Sequence, residues 1–199
     1  LLATANAISK TADAHNVAFQ KADIFALDLP ENSYDFIYSR LVFQHLHDPQ
    51  TAMEQLLKVL KPGGILCIAD IDDAWLSIEP EPAAFKSLIK RSSQVQEQLG
   101  GDRFIGHKLG SYLQKSGCDG VNVNVMPLNS QMMGMRNFLD IGISFRVFAT
   151  TNDEEQALAK EELQALQYLV DVPEAWGFLA IFVATGKKPS HDKSQRARA

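Results

Sequence analysis

Five short stretches carry side chains suited to binding or catalysis. Asp23 and Ile24 close the alternating run "VAFQKADI" (17–24), and Ser39 closes the aromatic, β-branched run "YDFIYS" (34–39), with Arg40 next. Both runs read as strands. In open α/β sheets, ligands collect at the carboxyl ends of strands, which is where these residues fall. His45 and His47 stand in a His-x-His spacing that some metal sites use. No cysteine or acidic cluster completes a coordination sphere, and Asp48 is better used as a helix cap, so no metal is expected. A histidine there also suits a base or a polar wall. "DIDD" (70–73) follows an apolar run, where Asp70 or Asp72 could orient a substrate hydroxyl or stand as solvated loop acids. Asp35 starts its strand, far from the carboxyl edge, and reads as structural. Met126, Met132, Met133, Met135, Phe138, Phe145 and Phe148 suit an apolar pocket, but stripes of this kind are more often core.

These side chains need a scaffold, and the sequence reads as an α/β sheet. Residues 2–14 form a helical pattern. "ALDLPENS" is a turn-rich connection. Asp48 with Pro49 makes an N-cap and first turn, and Ala52, Met53, Leu56, Leu57 and Leu60 recur at helical spacing. Gly63 and Gly64 end that helix. "ILCIAD" (65–70) is a continuous apolar run, as a central strand should be. Residues 71–82 form a loop. Residues 83–99, 106–117, 131–149 and 153–170 read as helices. "VNVNVMPL" (121–128) and "WGFLAIFVATGKKP" (176–189) read as strands, the last able to run antiparallel between two earlier ones. The tail at 189–199 is basic and short of apolar residues, so disorder is expected.

Composition narrows the function. Of 199 residues, 46% are hydrophobic, enough for a core. A net charge of −5 argues against nucleic acid or an anionic membrane as main partner. No apolar run approaches the roughly 20 residues of a membrane span. Cys67 and Cys118 sit in apolar segments, which fits a reducing, cytoplasmic setting.

Four stretches in order resemble the class I S-adenosylmethionine (SAM)-dependent methyltransferases, of the small-molecule type found in ubiquinone and menaquinone biosynthesis. They are "FQKADIFALDLPENSYDFIYS", "RLVFQHLHDPQTAMEQLLKVLKPGG", "ILCIADID" and the late "GFLAIFVATGKKP". The likeness is close over residues 2–75 and looser over 106–128 and 176–188. It implies a Rossmann-like sheet with helices on both faces and an antiparallel last strand. Residues 1–188 would be a methyltransferase domain, with 83–99 and 130–170 as helical lid or specificity insertions. It implies SAM as cofactor, with Asp23 and Ile24 at the adenine and with Ser39, adjoined by Arg40, at the methionine portion. It puts His45 toward a small organic acceptor, with Asp70 and Asp72 bordering that pocket. The methylated atom, C, O or N, is left open.

The family's acidic glycine loop, "D.G.G.G", and the ribose-binding acid after it have no counterpart here. The sequence opens at Leu1 inside a helical pattern. We therefore expect the first two strands to lie outside these residues, and this chain alone to bind SAM weakly or not at all. An N-terminal segment of the parent protein or a second copy would then be a partner. A degenerate, non-catalytic binding or scaffold module is the alternative. A nicotinamide-dependent oxidoreductase fits worse, because it too needs an early glycine loop.

Overall fold

The computed structural model describes residues 2–190. The tail expected to be disordered lies, from residue 191 on, outside the described residues. The helices and strands follow the order α1 (Leu2–Thr11), β1 (Tyr34–Arg40), α2 (Pro49–Val59), β2 (Leu60–Ile71), β3 (Ser77–Glu79), α3 (Ala83–Gln98) and α4 (Leu109–Lys115). Then come β4 (Asp119–Asn129), α5 (Ser130–Met133), α6 (Met135–Gly142), α7 (Asp153–Ala165) and β5 (Trp176–Lys187).

α2 forms where the sequence places it. Asp48 accepts from the Thr51 amide at 3.0 Å, and Pro49 occupies the first turn. Its buried face is Ala52, Met53, Leu56 and Leu57. β1 and β2 run parallel on either side of this helix, with Ser39 opposite Ile68 and Arg40 opposite Ala69. β5 runs antiparallel to β2 on one side and to β4 on the other, so the last strand lies between two earlier ones. β3 extends the β2 side by pairing with the start of β5.

The register divides the sheet into two faces. Leu66 and Ile68 of β2 and Ala180, Phe182 and Ala184 of β5 join the core beneath α2 and α4. Ala69, Ile71, Leu179, Ile181 and Val183 face a cavity on the other side. A second buried cluster joins α3, α6, α7 and the turn Ser144–Phe148, and includes Phe85, Leu88, Phe138 and Leu139.

Several expected elements differ. Residues 17–22 alternate like a strand but form none, and Val17 and Phe19 are exposed. Alternation describes a strand only where a neighbouring strand takes its hydrogen bonds, and none lies beside it among the described residues. Only an isolated bridge, Asp23 to Ala26, forms at its end. The stop at Gly63–Gly64 lies within β2. The pairing jumps from Tyr34–Leu60 to Phe36–Ile65, and Gly63 takes a φ of 79°. A Cβ on Gly64 would come within 3.0 Å of Leu60, Lys61 and Asp35, so the bulge requires glycine. The expected helix over 131–149 is three pieces, broken at Gly134 with φ 83°. The one over 106–117 is a single 3₁₀ turn, Gly106–Lys108, followed by α4. The 71–82 loop contains the 3₁₀ turn Asp73–Trp75 and β3.

Candidate functional site

At the carboxyl end of β1 the chain turns sharply. Leu41 adopts φ 55°, a left-handed conformation uncommon for a branched residue, while its amide donates to Ala69 O at 2.9 Å. The 3₁₀ turn Phe43–His45 follows. Asp70, fully buried at the end of β2, accepts from the Gln44 amide at 3.2 Å and from the Ile71 amide at 2.9 Å. Asp70 thus supports the turn from below.

A cavity of about 450 Å³ opens beside this turn. Tyr38, Arg40, Leu41, Gln44 and His45 line one side, and Ile71, Asp72, Asp73, Arg103, Phe145 and Arg146 another. Met126, Leu128, Ile141 and Leu179 add apolar walls. A separate shallow depression is lined by Lys21, Ala22, Asp23, Ile24 and Val42.

The site residues expected from sequence therefore divide. Asp23 and Ile24 share the depression, with the Asp23 carboxylate accepting from the Phe25 amide at 2.9 Å. Arg40, His45 and Asp72 line the cavity. Ser39 is buried, and its place opposite Ile68 puts its side chain on the core face, away from Arg40. Asp70 is also on the core side, paired with Phe182. The Asp72 oxygens are already engaged by the Ala74 amide, the His107 amide and His107 Nδ1, the last at 2.5 Å.

His45 Nδ1 lies 2.7 Å from Gln96 Nε2, which also donates to Gln44 O at 2.9 Å. The second bond fixes which end of the amide is the donor, so Nδ1 accepts. Burial, opposed by Asp70 and reinforced by Arg103, lowers the His45 pKa. The neutral ring therefore carries its proton on Nε2 and presents a hydrogen-bond donor. Gly101 fits against this arrangement, and a Cβ there would fall 2.4 Å from Gln96 Nε2 and 2.5 Å from Gln44 O. We expect Gly101→Ala to cost about 1–3 kcal/mol by overpacking. Urea denaturation measures the loss, and the His45 ring resonances should move with it.

Burial raises the Asp70 pKa, with the backbone donors acting against it. The sign follows directly. The folded state holds this proton more tightly than the unfolded chain, so the Asp70 contribution is complete below the unfolded pKa. It is lost as pH rises through the folded pKa. We expect the stability advantage of wild type over Asp70→Asn to be greatest in acid and to shrink as pH rises. Denaturant midpoints of both proteins at several pH values test this; a gap that widens with pH would count against it.

Sequence reasoning missed a buried charge cluster. Asp73 accepts from Arg103 Nε at 2.8 Å and from Arg146 Nη2 at 2.8 Å. The Arg103 Nη1 group also reaches Gln44 Oε1 at 2.9 Å, and Arg146 Nη1 reaches Ser92 Oγ at 2.9 Å. The side chains of Arg103, Arg146 and Asp73 are only 4%, 1% and 3% exposed. Burial would push the Asp73 carboxyl up, but the two guanidiniums outweigh it and hold the carboxyl below the ordinary range. One signal was available: Arg146 is a lone charge inside the apolar run "ISFRVF", which marks a buried cation in need of a partner.

Among the described residues, no group of three or more His, Cys, Asp or Glu side chains could hold a metal ion. No described helix is long and apolar enough to cross a membrane.

A family model described as a methyltransferase domain matches residues 1–117. An uncharacterized methyltransferase of Schizosaccharomyces pombe is 28% identical over 81 residues, covering 41% of this chain and 29% of that protein. The 2-methyl-6-phytyl-1,4-hydroquinone methyltransferase of Synechocystis is 40% identical over 52 residues, covering 26% of this chain and 16% of that protein. The chain thus spans less than a third of the length of either relative. Its fold is similar to that of the Haemonchus contortus phosphoethanolamine N-methyltransferase 2, whose structure holds phosphomonomethylethanolamine and S-adenosylhomocysteine. That likeness has a TM-score of 0.54 at 19% identity, over 94% of this chain and 41% of the other.

Proposed function

This chain belongs to the methyltransferase-domain family, and on that premise we propose that it takes part in methyl transfer from SAM to a small organic acceptor. The observation that carries the reading is the adjacency of two subsites at one strand end. Leu41 lines the cavity, and its neighbour Val42 lines the depression that holds Asp23 and Ile24. A ligand that passes over Leu41 and Val42 would touch both.

The residues present fit one flank of the cofactor. Asp23 is exposed, and its carboxylate suits an amino group, while half-buried Ile24 offers an apolar surface to a ring. Past the β1 end, the backbone of the Leu41 turn would hold the methionine portion, with Arg40 on the cavity side. Ser39 faces the core, so its contribution is through its backbone. When bound, SAM supplies an activated methyl on its sulfonium, and the residues around it need only position the acceptor and exclude water. The cavity's apolar walls serve the exclusion. His45, held by Gln96 with Nε2 as donor, serves as a polar wall that orients the acceptor. Asp72 fixes the 106–108 turn through His107, and Asp70 fixes the turn that carries His45. The segments 83–99 and 130–170 supply the helices and the Phe145–Arg146 wall, which supports a specificity role for them.

A non-catalytic binding or scaffold module is the second reading, and residues 1–62 contain no glycine from which a cofactor loop could be built. Among the described strands β1 pairs only with β2, and this open edge supports a covering strand from an N-terminal segment of the parent protein or from a second copy. The apolar settings of Cys67 and Cys118 support a cytoplasmic location. The deciding experiment is incorporation of tritium from methyl-labelled SAM into a small-molecule extract by the parent protein. Transfer that is lost in Asp23→Ala supports the catalytic reading, and no transfer above a heat-killed control supports the scaffold.

A further inference from the structure

The charge cluster on the cavity wall is unbalanced. Two guanidiniums, Arg103 and Arg146, converge on one carboxylate, Asp73, and all three are out of water. A guanidinium does not give up its proton in a protein, so within these three side chains one positive charge is left over. The other acids nearby direct their hydrogen bonds outside the cluster. Asp102 meets Lys108 at 2.6 Å and Glu162 meets Arg91, while the Asp72 carboxylate turns to the Ala74 and His107 amides and to His107 Nδ1. The Asp70 carboxylate accepts from the Gln44 and Ile71 amides on the core side of the sheet. His45 is kept neutral and adds no charge of its own.

A buried surplus charge is costly unless something pairs with it. The cluster also has spare donor capacity, since Arg146 Nε is buried without a hydrogen-bond partner. The Phe145 ring lies 5.1 Å from the Arg103 guanidinium and 5.3 Å from that of Arg146. It covers faces of the two cations and leaves their N–H edges as the route to a ligand. Both arginines line the cavity, whose mouth is rimmed by the exposed apolar side chains of Met126, Ile141 and Phe145.

We propose that the cavity takes an acceptor with an oxyanion, carboxylate or phosphate, on an apolar body, and that Arg103 and Arg146 hold the oxyanion. This rests on the methyl-transfer reading for the word acceptor, while the anion site stands on the cluster itself. Guanidinium edges match both headgroups by paired charge-assisted bonds. The apolar body lies along Met126, Leu128 and Leu179, and its far end leaves past Ile141.

The test uses chain-matched probes and calorimetry: decanoate, decyl phosphate and the neutral decanamide, with S-adenosylhomocysteine titrated separately. Decanoate or decyl phosphate should bind about tenfold or more tightly than decanamide, the scale of one charge-assisted hydrogen bond. The tighter of the two identifies the headgroup. Arg103→Gln leaves Arg146 balanced by Asp73 and should erase the preference, while Arg103→Lys keeps the charge and should keep most of it. Equal binding of decanoate, decyl phosphate and decanamide by the wild-type protein overturns the proposal without any variant having to fold. A preference that survives in folded Arg103→Gln also overturns it. So does a loss of S-adenosylhomocysteine binding in Arg103→Gln with the preference intact, which would assign the guanidinium to the cofactor carboxylate. S-adenosylhomocysteine binding without an anion preference sinks this inference and leaves the methyl-transfer reading. An anion preference without methyl transfer does the reverse.

Discussion

Asp73→Asn should be among the most damaging single substitutions in the protein. It strips the shared carboxylate from two arginines that are 4% and 1% exposed and leaves both cations buried. Breaking a buried ion pair from one side costs about 3–5 kcal/mol, because the remaining charge keeps its desolvation penalty. Against a typical stability of about 5–15 kcal/mol, that is a large share. Arg146→Met is the internal control. It leaves Asp73 paired with Arg103, so charges balance and an apolar chain of similar length fills the space. The loss from Arg146→Met should be the smaller of the two. Equal or reversed losses in urea denaturation would mean that the surplus charge is not what the cluster resists. The pH dependence has a definite sign. The Asp73 carboxyl titrates below its ordinary range in the folded state. Its contribution is present above the unfolded pKa and is lost as pH falls through the lower folded value. The gap between wild type and Asp73→Asn should therefore close in acid.

The second large effect is expected at Phe43. This side chain is fully buried in the core under α2, and it opens the turn that carries Gln44 and His45. Phe43→Ala removes the ring and leaves a cavity, at a cost of about 3–5 kcal/mol. The site should suffer with the core. Gln44 gives Oε1 to Arg103, its carbonyl to Gln96 and its amide to Asp70. A loosened turn would disturb all three contacts, so the His45 ring resonances should broaden or shift in the folded variant. Phe43→Leu, which retains most of the volume, should lose much less. A Phe43→Ala loss below about 1 kcal/mol would show that the turn repacks freely.

What the sequence made legible is what local pattern encodes. The Asp48–Pro49 start of α2, its apolar face and the continuous run of β2 each need only near neighbours, and each formed. The antiparallel last strand was readable through the family resemblance, and β5 lies between β2 and β4 as that implied. Residues 17–22 show the limit of alternation, because a strand exists only through its partner. The side-chain faces of Ser39 and Asp70 needed the register, which pattern alone does not give. The cavity wall was further out of reach. Asp73 meets Arg103 across 30 residues and Arg146 across 73, and His45 meets Gln96 across 51. Such pairs follow from how α3 and the 144–148 turn pack over the sheet. The lone arginine of "ISFRVF" announced a buried charge but not its partner.

The central claim is that a single SAM-type ligand runs from Asp23 around the β1 end to the cavity. The most direct measurement is a titration of the ¹⁵N-labelled protein with S-adenosylhomocysteine, followed by amide chemical shifts, which register even weak binding. Shifts should concentrate at Asp23, Ile24 and the Arg40–Val42 turn, with smaller ones at Gln44 and His45, and Asp23→Ala should reduce them. Shifts confined to other parts of the fold, or none at saturating ligand, would contradict the claim.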